Sequence, residues 1–184
     1  MYKVIGVLFL IMFSSIPCFS AWDGEITLIE PPEIRRCLKD PKLNDLIIAT
    51  DFNPFYLRGD FDGDNKTDYA VWMHRSVGAI TGVVVCAGNN SIHLLGSGIA
   101  KGENFSDMEK DDFLPLRWEV TTKQEIDELA TWKCNIPDPF PKIENESIKL
   151  VWREGESAII YWDGKQYKWT AGFTLESREG CTIE

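Results

Sequence analysis

The sequence predicts one domain of mainly β to α+β class, with an antiparallel β-meander sheet and two or three short helices. Apolar residues alternate along 148–152, which is the period of a strand with one buried face. The segment 81–87, TGVVVCA, is rich in β-branched residues and lacks alternation, which indicates a central strand covered on both faces. Asp163-Gly164 fits a two-residue hairpin turn, a type that needs two residues at positive φ.

The first half of the chain supplies a strand, a helix and the start of the meander. An alternating pattern predicts a short strand at 22–30, and Pro31-Pro32 ends it. A helix follows over 33–38, because proline suits the first turn of a helix. Residues 43–48 fit either a helical turn or a strand. Further strands are predicted at 55–57, 69–74, 81–87 and 91–95.

The second half begins with a long excursion at 96–115, which is glycine-rich and then acidic. Its length predicts either a functional or a mobile loop. Thr122 and Glu125 have the spacing of a capping box at the start of a helix. Strands are predicted at 116–120, 148–152, 158–162 and 166–170.

Residues 1–20 have the form of a secretory signal peptide. Lys3 precedes an uncharged run at 4–13, and the small residues Cys18 and Ser20 follow near the expected cleavage site. The apolar run is shorter than the roughly 20 residues of a spanning helix. We therefore predict cleavage after Ser20, a single globular domain at 21–184, and a periplasmic or secreted location without a membrane span.

The chain is acidic, with a formal net charge of −10 that becomes −11 when Lys3 is removed with the signal peptide. This charge disfavours nucleic acid as a partner, because phosphates require a basic face. It favours solubility, and it also suits a cationic protein partner.

Four cysteines remain after cleavage: Cys37, Cys86, Cys134 and Cys181. An even number in an exported chain favours disulfides, and four cysteines permit three pairings. Among them we favour Cys86 with Cys134 and Cys37 with Cys181, because the second pair would tie the two ends of the domain together.

The stretch 58–72, RGDFDGDNKTDYAVW, predicts a calcium site. Alternate residues of a tightly curled loop point inward, so the carboxylates of Asp60, Asp62 and Asp64 should converge. The carbonyl of Lys66 falls at the seventh place and Asp68 at the ninth. Calcium takes six to eight oxygen ligands, and neighbouring carboxylates repel one another unless a cation lies among them. Ca²⁺ bound by these five residues is the predicted cofactor.

The same stretch resembles the calcium loop of FG-GAP or VCBS-type repeats, whose pattern is D-x-[DN]-G-D-x-x-x-D followed by an apolar strand. The resemblance covers about 15 of the 184 residues and implies a calcium site between two strands. Those repeats stack into propellers, whereas this chain carries one such loop. Val71 stands at the twelfth place, where helix-loop-helix sensors have glutamate, so a structural site is favoured over a sensor. Asn65 suits left-handed backbone geometry.

Signals for catalysis are weak. The only two histidines, His74 and His93, lie in predicted strands, and Ser97 lacks the frame of a nucleophile elbow. The acid-rich segment 107–112 could supply a carboxylate pair for glycoside hydrolysis, but runs of charge are usually solvated. We therefore assign no catalytic residue, and we favour a protein without enzymatic activity.

Aromatic residues are concentrated in the C-terminal meander, where they could form a binding platform or part of the core, the interpretation we favour. These residues are Trp152, Tyr161, Trp162, Tyr167 and Trp169.

The predicted function is that of an exported non-catalytic binding protein, stabilised by a structural calcium loop and by disulfides. It would bind a cationic protein, as an inhibitor or immunity-type protein does, or a polysaccharide. The alternative is a calcium-dependent hydrolase of the cell envelope.

Overall fold

The computed structural model describes residues 30–75, 81–96, 115–130, 140–152 and 156–171. Within these ranges the chain forms nine strands, two α-helices and one 3-10 helix. The elements in chain order are α1 (Pro32–Cys37), the 3-10 helix (Pro41–Leu43), β1 (Leu46–Ile48), β2 (Tyr56–Gly59), β3 (Asp68–Arg75), β4 (Thr81–Cys86), β5 (Ile92–Leu95), β6 (Arg117–Thr121), α2 (Lys123–Ala130), β7 (Ser147–Val151), β8 (Ser157–Trp162) and β9 (Tyr167–Ala171).

The strands form two antiparallel sheets. The first sheet has the order β1-β3-β4-β5, and β2 pairs with another part of β3. The second sheet is the meander β6-β7-β8-β9. The predicted fold class, mainly β to α+β, is confirmed, and the ambiguous segment 43–48 contains the end of the 3-10 helix and then β1. Residues 1–29, with the proposed signal peptide, and 97–114 lie outside the described ranges.

One hydrophobic core joins the two sheets. It contains Trp72 and Val83 from the first sheet and Trp118, Ile148 and Ile160 from the second. The ring of Trp118 meets that of Trp72 edge-on at 5.1 Å between centroids. Because both sheets contribute to this core, the loops at the ends of their strands lie close to one another.

The other face of the first sheet is covered by α1 and the 3-10 helix. Ile34 and Leu43 from these helices form a second cluster with Val71, Met73 and Val84 of β3 and β4. The side chains at 83–85 are fully buried. The central strand predicted from TGVVVCA is therefore covered on both faces, as expected.

The second sheet packs against α2, whose Ile126 forms a cluster with Ile159 and Tyr161. Thr122 and Glu125 form the predicted capping box: the Thr122 amide donates to Glu125 Oε2 (2.7 Å), and the Glu125 amide donates to Thr122 Oγ1 (3.3 Å). Tyr161 and Tyr167 are buried. The other three aromatic residues of the C-terminal meander, Trp152, Trp162 and Trp169, are partly buried against the shared core, which contains Tyr167. Tyr161 belongs to a separate cluster with Ile126, Ile143 and Ile159.

The hairpin between β8 and β9 differs from the prediction. Trp162 pairs directly with Tyr167, which leaves four residues in the turn instead of two. Gly164 has φ 93°, but Asp163 is not at positive φ, so the two-residue type is wrong. The Asp163 carboxylate instead accepts the amides of Lys165 and Gln166, each at 2.9 Å, and thereby stabilises the longer turn.

The favoured cysteine pairing is also wrong. Cys37, at the end of α1, is bonded to Cys86, at the end of β4, with 5.8 Å between the Cα atoms. The apolar side of α1 packs through Ile34 on β3 and β4, and this contact brings the end of the helix to the end of β4. Cys134 and Cys181 lie outside the described residues.

No helix in the described ranges is both long enough and apolar enough to cross a membrane.

We expect the double variant Cys37→Ala/Cys86→Ala to lose stability. The bond spans 49 residues, and closing a loop of that length contributes roughly 4 kcal/mol in the chain-entropy model. Urea unfolding monitored by tryptophan fluorescence measures the loss. When the wild type is unfolded under reducing conditions, its free energy of unfolding should fall by at least as much. A double variant as stable as the oxidised wild type would contradict the structural role of the bond.

Candidate metal centre

The acidic loop joins two paired strands of the first sheet. Gly59 at the end of β2 lies directly opposite Asp68 at the start of β3, so residues 60–67 close a hairpin. Three of its aspartates, Asp60, Asp62 and Asp68, each offer one oxygen, and these oxygens lie within 4.8 Å of one another. This group could hold a metal ion. Of the three carboxylates predicted to converge, Asp60 and Asp62 do so, and they are joined by Asp68, which was expected to close the ring, but not by Asp64.

Alternation within the loop explains why these carboxylates converge. Phe61 lies between Asp60 and Asp62 in sequence, and its side chain is buried in the core between the two sheets. Asp60 and Asp62 remain partly exposed. Because the Phe61 side chain points into the core, its two acidic neighbours point the other way, towards the carboxylate of Asp68.

Asp68 is the buried member of the group, with no exposed surface. Its Oδ2 accepts the amides of Phe61 (2.8 Å) and Asp62 (3.2 Å), and its Oδ1 accepts the amide of Gly88 (2.8 Å). Burial raises the pKa of Asp68 above its usual value, these hydrogen bonds lower it in part, and the Asp62 carboxylate raises it further. A bound cation would offset the cost of burying this charge.

Asp60 and Asp62 hold the turn of the loop. Asp60 accepts the amides of Gly63 (2.9 Å) and Asn65 (3.0 Å), and Asp62 accepts the amide of Asp64 (3.1 Å). Gly63 and Asn65 have φ of 76° and 60°, so the left-handed geometry expected at Asn65 is confirmed. Each carboxylate oxygen has two lone pairs, so an oxygen that accepts an amide can still bind a cation.

Of the other two predicted ligands, Asp64 is placed differently. Asp64 is not among the three converging carboxylates. Its oxygens accept the Lys66 amide (2.9 Å) and the Lys66 ammonium group (3.2 Å). Ligand roles for Asp64 and for the Lys66 carbonyl therefore remain predictions.

Residues distant in sequence support the loop. Glu146, just before β7, accepts the amide of Asp60 at 2.7 Å, across 86 residues of sequence. Asn145 lies against Gly63, where an added Cβ would overlap its side chain. The side-chain amide of Asn89 donates to Asp62 at 2.9 Å. Sequence reasoning missed these residues, because nothing local indicates that the second sheet reaches the loop.

The buried phenol of Tyr167 lies within the electrostatic field of the loop. Tyr167 is buried, and its hydroxyl has no hydrogen-bond partner in the described structure. Burial raises its pKa, and the negative charges of the four loop aspartates raise it further. The hydroxyl is therefore a buried donor in the field of these carboxylates.

Both histidines are part of the packing. The ring of His93 meets Trp162 at 5.4 Å and Tyr167 at 5.1 Å, both edge-on. Burial lowers its pKa, and Asp62 opposes this shift. His74 lies on β3, with Nδ1 3.1 Å from the Arg75 carbonyl oxygen. The ring contacts account for His93 as a packed strand residue, and His74 is a partly exposed residue of β3.

Comparison of the chain with protein-family models, curated proteins and solved structures gave no match. The likeness to FG-GAP or VCBS loops therefore rests on the motif itself. Three of its aspartates form a group that could bind a metal.

We expect Gly63→Ala to destabilise the protein more than Gly164→Ala. Both glycines have positive φ, where a side chain costs about 1–2 kcal/mol. Only at Gly63 would the new Cβ overlap a neighbour, Asn145, since nothing lies within 4 Å at Gly164. Urea unfolding of both variants measures the difference. Equal losses, or an excess that Asn145→Ala does not relieve, would contradict the close approach of the second sheet.

Proposed function

We propose that this chain is an exported, non-catalytic binding protein whose acidic loop binds a structural calcium ion. The observation that carries the proposal is the convergence of Asp60, Asp62 and Asp68 within 4.8 Å in a loop held by both sheets. An oxygen-only ligand set suits a hard cation and disfavours zinc, which prefers nitrogen and sulfur. Calcium is favoured over magnesium because it tolerates irregular geometry and more ligands.

The position of the loop supports a structural role for the ion. Asp68 connects the loop to the turn after β4 through Gly88, and Asp60 connects it to the second sheet through Glu146. Phe61, between two of the ligands, is part of the shared core. A cation at this point would stabilise the junction of the two sheets.

Export and binding rest on other observations. The Cys37–Cys86 disulfide suits an oxidising compartment. The acidic charge and the rigid, cross-linked sheet suit a protein that presents a surface to a partner. The proposed partner is a protein or a polysaccharide. No feature of the described residues favours the hydrolase alternative, and the acid-rich segment 107–112 lies outside them.

We expect Ca²⁺ to raise the melting temperature and a chelator to lower it. An ion that binds only the folded state stabilises it by mass action, by about 2.7 kcal/mol at a hundredfold excess over Kd. Thermal unfolding of the mature protein followed by circular dichroism measures the shift, and isothermal titration measures the affinity.

Two single variants make this experiment specific. Asp62→Ala should abolish the calcium effect. Asp127→Ala, which removes an exposed carboxylate paired with Lys123 on α2, should leave it unchanged. A wild type insensitive to chelator, or an Asp62→Ala variant that retains the full shift, would refute the calcium site.

The binding role has its own measurement. Immobilised mature protein should retain a protein or a glycan from cell-envelope extract at micromolar concentration. Asp62→Ala, which weakens the junction of the sheets, should retain less. If nothing is retained in the presence of calcium, the binding function is wrong even where the calcium site is right.

A further inference from the structure

A cleft of about 700 Å³ lies on the α1 side of the first sheet, between that helix and the acidic loop. The helix and the residues after it form one wall, and Arg58, Lys66 and Thr67 form the other. The turn between β4 and β5 closes one end. This volume falls in the range of about 300–1,000 Å³ that is typical of small-molecule sites.

The charge of this cleft opposes that of the whole chain. Four basic side chains line it, and only two acidic ones, Glu33 and Asp40, accompany them. The cleft therefore has a formal charge of +2 in a chain of −10. Asp40 already accepts the amide of Lys42. The basic residues are Arg36, Lys39, Arg58 and Lys66.

Most of this positive charge has no ion-pair partner among the described residues. Lys66 pairs with Asp64 at 3.2 Å. Arg58 donates only a long hydrogen bond, 3.4 Å, to the hydroxyl of Thr67. The side chains of Arg36 and Lys39 form no ion pair with any described residue. Within the described structure, three cations therefore face the cleft without an ion-pair partner.

The cleft also has surfaces for an uncharged part of a ligand. Tyr69 and the Cys37–Cys86 disulfide are among its apolar lining. Asn90 and Ser91 add polar side chains at the turn. A cationic rim beside an apolar and hydrogen-bonding surface suits a small organic body that carries an oxyanion group.

Both walls are held in place. The disulfide ties α1 to β4. On the other side, Gly88 donates to Asp68, and a Cβ at Gly88 would fall 2.9 Å from the Thr67 carbonyl oxygen, so turn and loop are in close contact. Fixed walls reduce the entropy lost on binding.

The acidic loop borders the same wall. A second cavity of about 400 Å³ is lined by Arg58, Lys66 and Thr67 as well. Asp60 and Glu146 are also among its lining residues. The negative charge of the loop would repel an anion in the neighbouring cleft. A divalent cation among Asp60, Asp62 and Asp68 would reduce that repulsion.

We infer that this cleft binds the oxyanion group of a small ligand or of a glycan residue, a carboxylate or a phosphate, through Arg36, Lys39 and Arg58. This inference names a ligand class for the proposed binding protein and rests on that proposal for the idea that binding is its role and that calcium occupies the loop. Calcium in the loop strengthens the binding.

Three sugars that share the galactose ring test the cleft: galactose, galacturonate and galactose 6-phosphate. Each is titrated calorimetrically into the mature protein in the presence of calcium. Galactose should not bind, and at least one charged sugar should. The tighter of the two identifies the source of the oxyanion. Removal of one cation by Arg36→Gln or by Arg58→Gln should weaken binding about tenfold, the effect of one charge-assisted hydrogen bond.

Arg35→Gln is the matched control, because Arg35 lies on the same helix but pairs with Glu30 outside the cleft. It should bind like the wild type. Equal binding of all three sugars, binding of none, or equal effects of Arg35→Gln and Arg36→Gln would overturn the inference. The calcium shift in melting temperature, measured on the same samples, shows whether the proposed metal site fails separately.

Discussion

The buried carboxylate of Asp68 is the interaction on which the acidic loop depends. It accepts two amides from the loop and one from the turn after β4, so one charged side chain connects three segments. A buried charge is stable only when it is hydrogen-bonded or paired. The hydrogen bonds supply part of that stabilisation, and Asp60 and Asp62 are placed where a cation could supply the rest.

Strand β3 connects Asp68 to the rest of the first sheet. It begins at Asp68, pairs with β1, β2 and β4, and is covered on both faces. Three features therefore lie around one end of the first sheet: the group of three aspartates, the disulfide to α1 and the contact with Glu146. A substitution at one of these contacts should alter the geometry of the others, because the strands between them are rigidly packed.

This arrangement suggests how an acidic protein could bind an anion. The negative charge of the loop is concentrated on one side of Arg58 and Lys66, and the basic cleft lies on the other. A structural cation would reduce the negative charge of the loop while leaving the charge of the cleft intact. In this view the loop stabilises the fold and also sets the electrostatic field of the neighbouring site.

The sequence by itself determined features that depend on neighbours in the chain. Strand periodicity predicted the β class, and the β-branched run predicted a strand buried on both faces. Aspartates at alternate positions predicted that Asp60 and Asp62 converge, although Asp64 does not join them, and Asn65 predicted the left-handed turn. Only the tertiary structure decided that there are two sheets, that Cys37 pairs with Cys86, and that Glu146 supports the loop. These contacts join residues 49 and 86 positions apart, so they depend on how the sheets pack and leave no local pattern.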